Sequence, residues 1–179
     1  MPAQPIKNGF TLIELMVTVA VLGITVAIAV PAFQNVIASN QLQESRDRMR
    51  TAIMYAKGEA VAGNQTVTLC PSADASTCGD NSNWDENWLV VTDNNETGAV
   101  SIDRILRSFE APSPAGVTMT HTGGVDLIRF QADGITLNLP PTASFGFCDP
   151  DGNVNADSLI LSPSTAALRT GSSAEANCP

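Results

Sequence analysis

The chain has 179 residues with a formal net charge of -9 at pH 7, and 44% of its residues are hydrophobic. This length suits one domain with an appendage. The acidic balance argues against a general nucleic-acid binder, because a polyanion would be repelled at long range. Much of the apolar content lies in residues 12–38, and the remainder has the composition of a soluble, acidic domain.

An apolar run extends to Phe33 and contains a single charged residue, Glu14, close to its start. The run has about the length that a helix needs to cross a bilayer. A carboxylate inside such a segment is costly unless another group pairs with it. Glu14 therefore predicts a partner within the membrane.

The pattern predicts one long helix over residues 10–62, ended by Gly63 and Asn64. Pro31 should remove one backbone hydrogen bond and kink this helix. A helix of about 53 residues would be about 80 Å long, so half of it must project from a domain. Beyond the proline, apolar residues recur on one face that should pack on the domain: Leu42, Met49, Ile53, Ala56 and Ala60.

Short strand-like runs separated by turns follow the helix, which is typical of an antiparallel sheet covered by the amphipathic half-helix. The polar segment 72–87 is predicted to be a surface loop. Trp88 precedes an apolar run and is predicted to lie in the core, whereas the position of Trp84 stays open. The predicted strands are 66–70, 87–92, 100–109, 117–121, 125–131, 135–139, 144–148 and 158–161.

Four cysteines, Cys70, Cys78, Cys148 and Cys178, lie downstream of the apolar run without any C-x-x-C pair. Zinc sites usually have closer ligand pairs, and His121 is the one histidine, so no metal site is predicted. Cysteines on the exported side of a membrane segment favour two disulfides. Three connectivities are open; Cys70–Cys78 with Cys148–Cys178 is favoured because these pairs close the shorter loops. The predicted fold class is α+β, a long kinked N-terminal helix packed on an antiparallel β-sheet domain with two disulfides.

The segment 9–15, with the sequence GFTLIEL, resembles the processing site of type IV pilins and type II secretion pseudopilins. The resemblance implies that a prepilin peptidase cuts between Gly9 and Phe10 and methylates the new amine of Phe10. It also implies that the Glu14 carboxylate pairs with the terminal amine of a neighbouring subunit, and that Pro31 lies at the kink of the family's helix. A cleaved secretory signal and a plain membrane anchor are the alternatives. Neither gives a role to Glu14.

Three later segments narrow the resemblance to the GspH/FimT family of minor pilins and minor pseudopilins: 66–72 (TVTLCPS), 87–93 (NWLVVTD) and 158–164 (SLILSPS). The pattern of four cysteines most resembles a FimU-like minor pilin. The implied organisation is a leader peptide 1–9, a helix with an assembly part 10–33 and an amphipathic part 34–62, and a β-rich domain 63–179. The implied function is that of a non-enzymatic type IV minor pilin, which primes pilus assembly in a tip-associated complex. A type II secretion minor pseudopilin is the main alternative.

The resemblance also implies partners and a location. Other minor pilins and the major pilin would contact the N-terminal helix, and the precursor would lie in the bacterial inner membrane with a periplasmic domain before it enters the cell-surface pilus. No cofactor is implied. Some FimT-type pilins bind DNA through a basic stretch after the late Ser-Pro turn, but residues 131–179 carry five acids and one base, Arg169. Nucleic acid is therefore not an expected partner.

Two further patterns could carry chemistry. Oxygen side chains alternate in the segment 149–157, and such residues can wrap calcium. Gly152 falls too early for an EF-hand loop and no suitable glutamate follows, so a turn-rich loop is favoured. His121 has no nucleophile motif beside it, and catalysis is not predicted.

Overall fold

The structure is a computed structural model that describes residues 9–79, 83–95, 97–110, 116–141 and 143–178. The chain divides into two compact units, Met1–Ile37 and Ala38–Pro179. Of the predicted leader peptide, only Gly9 is among the described residues.

One α-helix, α1, runs from Leu12 to Gly63 and continues through Pro31. Its bounds lie within two residues of the predicted helix 10–62. By length and composition α1 is long and apolar enough to cross a membrane. Its side chains within the first unit are exposed, with the partial exception of Ala29.

Within the second unit α1 buries one face: Leu42, Ser45, Met49, Ala52, Ile53, Ala56 and Ala60. The five residues of the predicted apolar face are all in this set. Ser45 and Ala52 complete it, because each lies three residues after a larger buried residue on the same face. The small side chains at these positions, and at Ala56 and Ala60, are fully buried.

In the part of the chain that the structure describes, nine strands and a short 3₁₀ helix follow α1: β1 (Val67–Ser72), β2 (Asn87–Asp93), β3 (Ile102–Phe109), β4 (Thr118–Thr122), β5 (Ile128–Phe130), β6 (Thr136–Leu137), β7 (Ser144–Cys148), β8 (Asp157–Leu161), β9 (Leu168–Gly171) and η1 (Ser173–Ala176). All strand pairings among the described residues are antiparallel. The α+β fold class is confirmed. The strands form two sheets instead of one, in the orders β3-β2-β1-β5-β6 and β4-β7-β8-β9.

Eight strands correspond to the predicted runs, and β9 was not predicted. Leu168–Gly171 is short and half-exposed, and it is a strand because it pairs with β8 at the edge of the second sheet. A window of four residues that contains Arg and Gly lacks the sequence pattern that predicts a strand.

The main core lies between the buried face of α1 and both sheets. In β2, Trp88 and Val90 face this core, while Leu89 and Val91 belong to a smaller cluster on the other side of the sheet. The strand is thus buried on both faces, which explains its nearly continuous apolar sequence. The prediction that Trp88 lies in the core is confirmed.

The disulfides join Cys70 to Cys78 and Cys148 to Cys178, with Cα–Cα distances of 5.6 and 5.7 Å. These are the pairs that close the shorter loops, and no cysteine is free. The first disulfide belongs to the smaller cluster behind β2. The second ties residues after η1 to the end of β7.

Candidate assembly site and domain surfaces

The start of α1 is set by a cap within the segment 9–15. The backbone N–H of Glu14 donates to the hydroxyl Oγ1 of Thr11 over 3.3 Å. A threonine followed three residues later by glutamate is the capping-box pattern, and an acid in the first turn interacts favourably with the helix dipole. Gly9 and Phe10 precede the helix and are exposed. Sequence analysis missed this role of Thr11, although the Thr-x-x-Glu spacing carries the signal.

The helix in the first unit presents an apolar surface interrupted by one charge. Its large apolar side chains, from Phe10 to Ile37, are all at least half exposed. Apolar surface of this extent is unfavourable in water and needs lipid or apolar protein to cover it. Glu14 is the single acidic or basic residue in 9–37.

Two threonine hydroxyls within this apolar segment are hydrogen-bonded inside the helix. The hydroxyls of Thr18 and Thr25 donate to the carbonyl oxygens of Leu15 and Leu22, at 2.9 and 2.8 Å. This is how threonine is accommodated where water is excluded. Pro31 has no N–H, so it leaves one carbonyl of the preceding turn without its helical donor.

A buried ion pair holds the β2–β3 connection, and sequence analysis did not foresee it. Asp93 accepts from the Arg129 Nε at 2.8 Å and from the Thr68 hydroxyl at 3.0 Å. It also accepts the backbone N–H groups of Asn95 and Ser101 at 3.0 and 2.9 Å. Burial raises the pKa of the Asp93 carboxyl, but these hydrogen bonds together outweigh it and lower the pKa. The charged aspartate is therefore the stable form.

Trp84 lies in the core although it falls in the predicted surface loop 72–87. Its indole N–H donates to the carbonyl oxygen of Val125 at 2.7 Å, and its own carbonyl accepts from the indole of Trp88 at 3.0 Å. The ring also makes an edge contact with Phe145, with centroids 5.0 Å apart. The position of Trp84, which the sequence left open, is thus in the core, because a tryptophan whose N–H finds a partner is stable inside.

The segment after β9 lies across the second sheet as a strap, which we define as residues 172–178. A Cβ built on Gly146 of β7 would lie 1.8 Å from the carbonyl oxygen of Ala176, so only glycine fits beneath the strap. The Ser158 and Ser144 hydroxyls donate to strap carbonyls at 2.9 and 3.4 Å. The Cys148–Cys178 disulfide joins the end of the strap to the end of β7.

Arg169, the one base after the late Ser-Pro turn, is already engaged. It donates to Glu175 at 2.8 Å. This hydrogen bond, followed by those from the N–H and hydroxyl of Ser172, lowers the pKa of Glu175 to about 2. Because the Arg169 guanidinium is paired with a carboxylate of the strap, it is less available to bind a nucleic-acid phosphate.

The oxygen-rich loop 149–157 is organised by its own backbone. Asp149 accepts from the N–H groups of Asp151, Asn153 and Val154 at 3.1, 2.7 and 3.2 Å. This is the hydrogen-bonding pattern of an Asx turn, which agrees with the preferred turn-rich loop. Within the described residues no group of three His, Cys, Asp or Glu side chains could hold a metal ion. His121 lies in β4, and among those residues its buried Nδ1 has no hydrogen-bond partner.

Comparison with protein-family models identifies the family of this chain. The family model described as Type II transport protein GspH matches residues 46–165. The chain belongs to the GspH family. The model of the prokaryotic N-terminal methylation motif matches residues 6–30, which include the cap and most of the apolar part of α1.

Known relatives of this GspH-family chain are fimbrial proteins. A fimbrial protein of Dichelobacter nodosus is 30% identical over 168 residues, covering 88% of this chain and 94% of the relative. The type IV major fimbrial protein FimA of the same organism is 51% identical over 53 residues, or 28% of this chain. That alignment spans about a third (34%) of the relative's length.

A solved structure shows the same fold. The type IV minor pilin FimU of Pseudomonas aeruginosa superposes with a TM-score of 0.58 at 19% identity, covering 76% of this chain and 92% of FimU. The pilin-like fold, with one long helix packed on antiparallel sheets, is thereby confirmed. The family match and the relatives identify this GspH-family chain as a pilin-like structural subunit, and the expectation that it is not an enzyme is confirmed. The methylation motif and the apolar helix fit a membrane-anchored precursor of a pilus subunit.

Proposed function

We propose that this chain is a minor pilin of the type IV pilus that primes assembly in a tip-associated complex. The observation that carries the proposal is the exposed apolar start of α1, with Glu14 in its first turn directly after Gly9 and Phe10. A prepilin peptidase cuts between Gly9 and Phe10, removes residues 1–9 and methylates the amine of Phe10. The accessible Gly9–Phe10 segment, which lies outside the helix, supports this step.

The new amine gives Glu14 its partner. A carboxylate and an ammonium group each lose much hydration free energy in an apolar environment, and a well-placed pair offsets that loss. The amine of Phe10 in an adjacent subunit therefore fixes how far one helix is displaced along its neighbour. Residues 10–33 form the assembly part of the helix and 34–62 the amphipathic part, with Pro31 near the junction.

The remaining parts of the proposal concern location and partners. The precursor lies in the inner membrane with the domain 63–179 in the periplasm, an oxidising compartment in which the two disulfides are stable. After processing, the helix packs against other minor pilins and the major pilin, and the domain is presented at the cell surface for adhesion or twitching motility.

The first experiment tests processing and pairing together. Cells that express the prepilin peptidase should yield a protein that lacks residues 1–9 and carries one added methyl group, measured by intact mass. Glu14→Ala should be processed normally. Its recovery in sheared fibres should fall at least about tenfold, because an ammonium group that loses its buried partner costs several kcal/mol. Glu44→Ala is the matched control, since Glu44 pairs with Arg48 on an exposed part of the same helix. Normal recovery of Glu14→Ala would contradict the pairing.

A minor pseudopilin of a type II secretion system is the second candidate. The description of the matching family, Type II transport protein GspH, favours it. The two candidates differ in their partners. A photo-crosslinking amino acid at the exposed position of Met54 should capture pilus subunits if the chain is a minor pilin. Capture of secretion pseudopilins instead would replace the first candidate by the second.

A further inference from the structure

The two cysteines of the second disulfide lie in different environments. Cys148, at the end of β7, is 2% exposed, whereas Cys178, in the strap, is exposed to solvent. In the first disulfide Cys70 is buried and Cys78 is half-buried. A reagent in solution therefore reaches the Cys148–Cys178 pair from the side of Cys178.

The strap covers the face of β7 on which Cys148 lies. Gly146 and Cys148 are two residues apart in this strand, so both lie on the face that the strap crosses. Ala176 of the strap is 1% exposed, and its carbonyl oxygen accepts from the hydroxyl of Thr120 over 2.5 Å. While the strap is docked, Cys148 is closed to molecules in solution.

Contacts other than the disulfide hold the strap in this position. Besides the Thr120 bond, the Glu175 carboxylate of the strap accepts from Arg169 at 2.8 Å. Two serine hydroxyls of the second sheet also donate to strap carbonyls. The strap can therefore dock while both cysteines are thiols. Docking places their Cα atoms 5.7 Å apart, which is within the range that a disulfide spans.

A disulfide forms in two exchange steps with a disulfide donor. In the first step a protein thiolate attacks one sulfur of the donor, expels a donor thiolate and becomes a mixed disulfide. In the second step the other protein thiolate attacks the protein sulfur of the mixed disulfide and expels the second donor thiolate. The first step needs access to solvent, whereas the second needs proximity within the protein.

We propose that Cys178 is the entry thiol of this domain and Cys148 its resolving thiol. The Cys178 thiolate attacks the donor and carries the mixed disulfide on the docked strap. The Cys148 thiolate then attacks Cys178 Sγ from beneath the strap. The Thr120 hydroxyl oxygen lies 3.9 Å from Cys148 Sγ and can donate to this thiolate.

The two steps balance. Two protein thiols and one donor disulfide give one protein disulfide and two donor thiols, which take up the two protons that the cysteines lose. The protein sulfurs are oxidised and the donor sulfurs are reduced. This inference goes beyond the proposed function and does not depend on it, since it concerns the chemistry of the domain alone.

Single-thiol variants separate the two roles. Cys148→Ser and Cys178→Ser each leave one thiol, because the Cys70–Cys78 pair stays oxidised. The full-length proteins in detergent micelles are treated with oxidised glutathione, and the glutathione adduct is followed by intact mass. Cys148→Ser should form its adduct at least about tenfold faster than Cys178→Ser, because only the former keeps the exposed thiol. In unfolding urea the two rates should agree within about twofold.

A second pair of variants tests the cover provided by the strap. Gly146→Ala, added to Cys178→Ser, should speed the reaction of Cys148, because the new methyl group takes the place of the Ala176 carbonyl. Gly58→Ala is the matched control, since a Cβ at Gly58 meets nothing within 4 Å, and it should leave the rate unchanged. Far-UV circular dichroism checks that each variant is folded.

The native protein gives a test without any variant, because each exchange step also runs backwards. The oxidised chain is treated with a limiting amount of reduced glutathione, quenched with acid and digested. The first glutathione adduct should lie on the peptide that contains Cys178. An adduct on Cys148 instead would overturn the proposal, and so would equal rates for the two folded single-thiol proteins. A rate at Cys148 that does not respond to Gly146→Ala would overturn it as well, because the strap would then not be the cover.

Discussion

Replacing Asp93 with asparagine removes the negative charge of the buried ion pair but keeps the size of the side chain. The Asp93 side chain is fully buried and that of Arg129 is 6% exposed. The variant leaves the Arg129 guanidinium charged inside the domain, with the Gly98 carbonyl as a remaining acceptor at 2.7 Å. Loss of one partner from a buried pair destabilises proteins by about 3–5 kcal/mol.

The exposed pair formed by Arg46 and Asp47 provides the contrast. Their atoms are 3.1 Å apart, but the Asp47 side chain is 62% exposed. Exposed pairs contribute about 0.2–1 kcal/mol. Asp47→Asn should therefore change the free energy of unfolding several times less than Asp93→Asn does.

Urea unfolding of the oxidised, full-length protein in detergent measures both effects. The buried Trp84 and Trp88 lie in the domain and report its unfolding by fluorescence. The double variant Asp93→Asn, Arg129→Met removes the unpaired charge, so it should be more stable than Asp93→Asn alone. A cost below about 1 kcal/mol for Asp93→Asn would refute the reasoning, because an unpaired buried charge cannot be that cheap.

The same pair predicts a dependence on pH. The pKa of Asp93 is lowered in the folded protein. The stability that its charged form adds to the folded state is therefore complete above the unfolded pKa of about 3.9. The contribution is lost as the pH falls through the lower, folded pKa. The stability difference between the native protein and Asp93→Asn should therefore be constant from neutral pH to about pH 5 and shrink in stronger acid. A difference that grows on acidification would contradict this sign.

Three further changes test the core and the strap. Met49→Ala should lower the free energy of unfolding in urea by about 2–5 kcal/mol, because Met49 is fully buried. Met54→Ala should change that free energy by no more than about 0.5 kcal/mol, because Met54 is exposed. Gly146→Ala should increase proteolysis after β9, since the added methyl group occupies the place of the Ala176 carbonyl; unchanged protection would contradict the close approach. Removing the disulfide of Cys178 should cost about 3.5 kcal/mol from the entropy of a loop with a sequence separation of 30, measured in the same urea assay.

Local sequence patterns predicted the helix well because its buried apolar residues recur with the helical period. The spacing of Leu42, Met49 and Ile53 identified the buried face, and the end of α1 at Gly63 lies one residue beyond the prediction. Strand β7 was predicted with the correct bounds, since Phe145 and Phe147 alternate with small residues between turn signals.

Features that depend on contacts distant in sequence were not predictable in this way. Asp93 and Arg129 are 36 residues apart, and nothing in either segment indicates that they meet. The division into two sheets is likewise a matter of which strands pair. Strand β9 exists because β8 is beside it, and Gly146 is needed because the strap crosses it. The Thr11 cap is different, since its Thr-x-x-Glu spacing was visible in the sequence.

The strap also sets the order of oxidation. Synthesis proceeds from the N-terminus, so Cys78 follows Cys70 after eight residues and before any strand of the second sheet has been made. Cys148 has to wait until β8 and β9 have been made and the strap has crossed Gly146. An oxidised Cys148–Cys178 pair is consequently a chemical record that the domain has finished folding, and a free thiol at either position marks a subunit that has not.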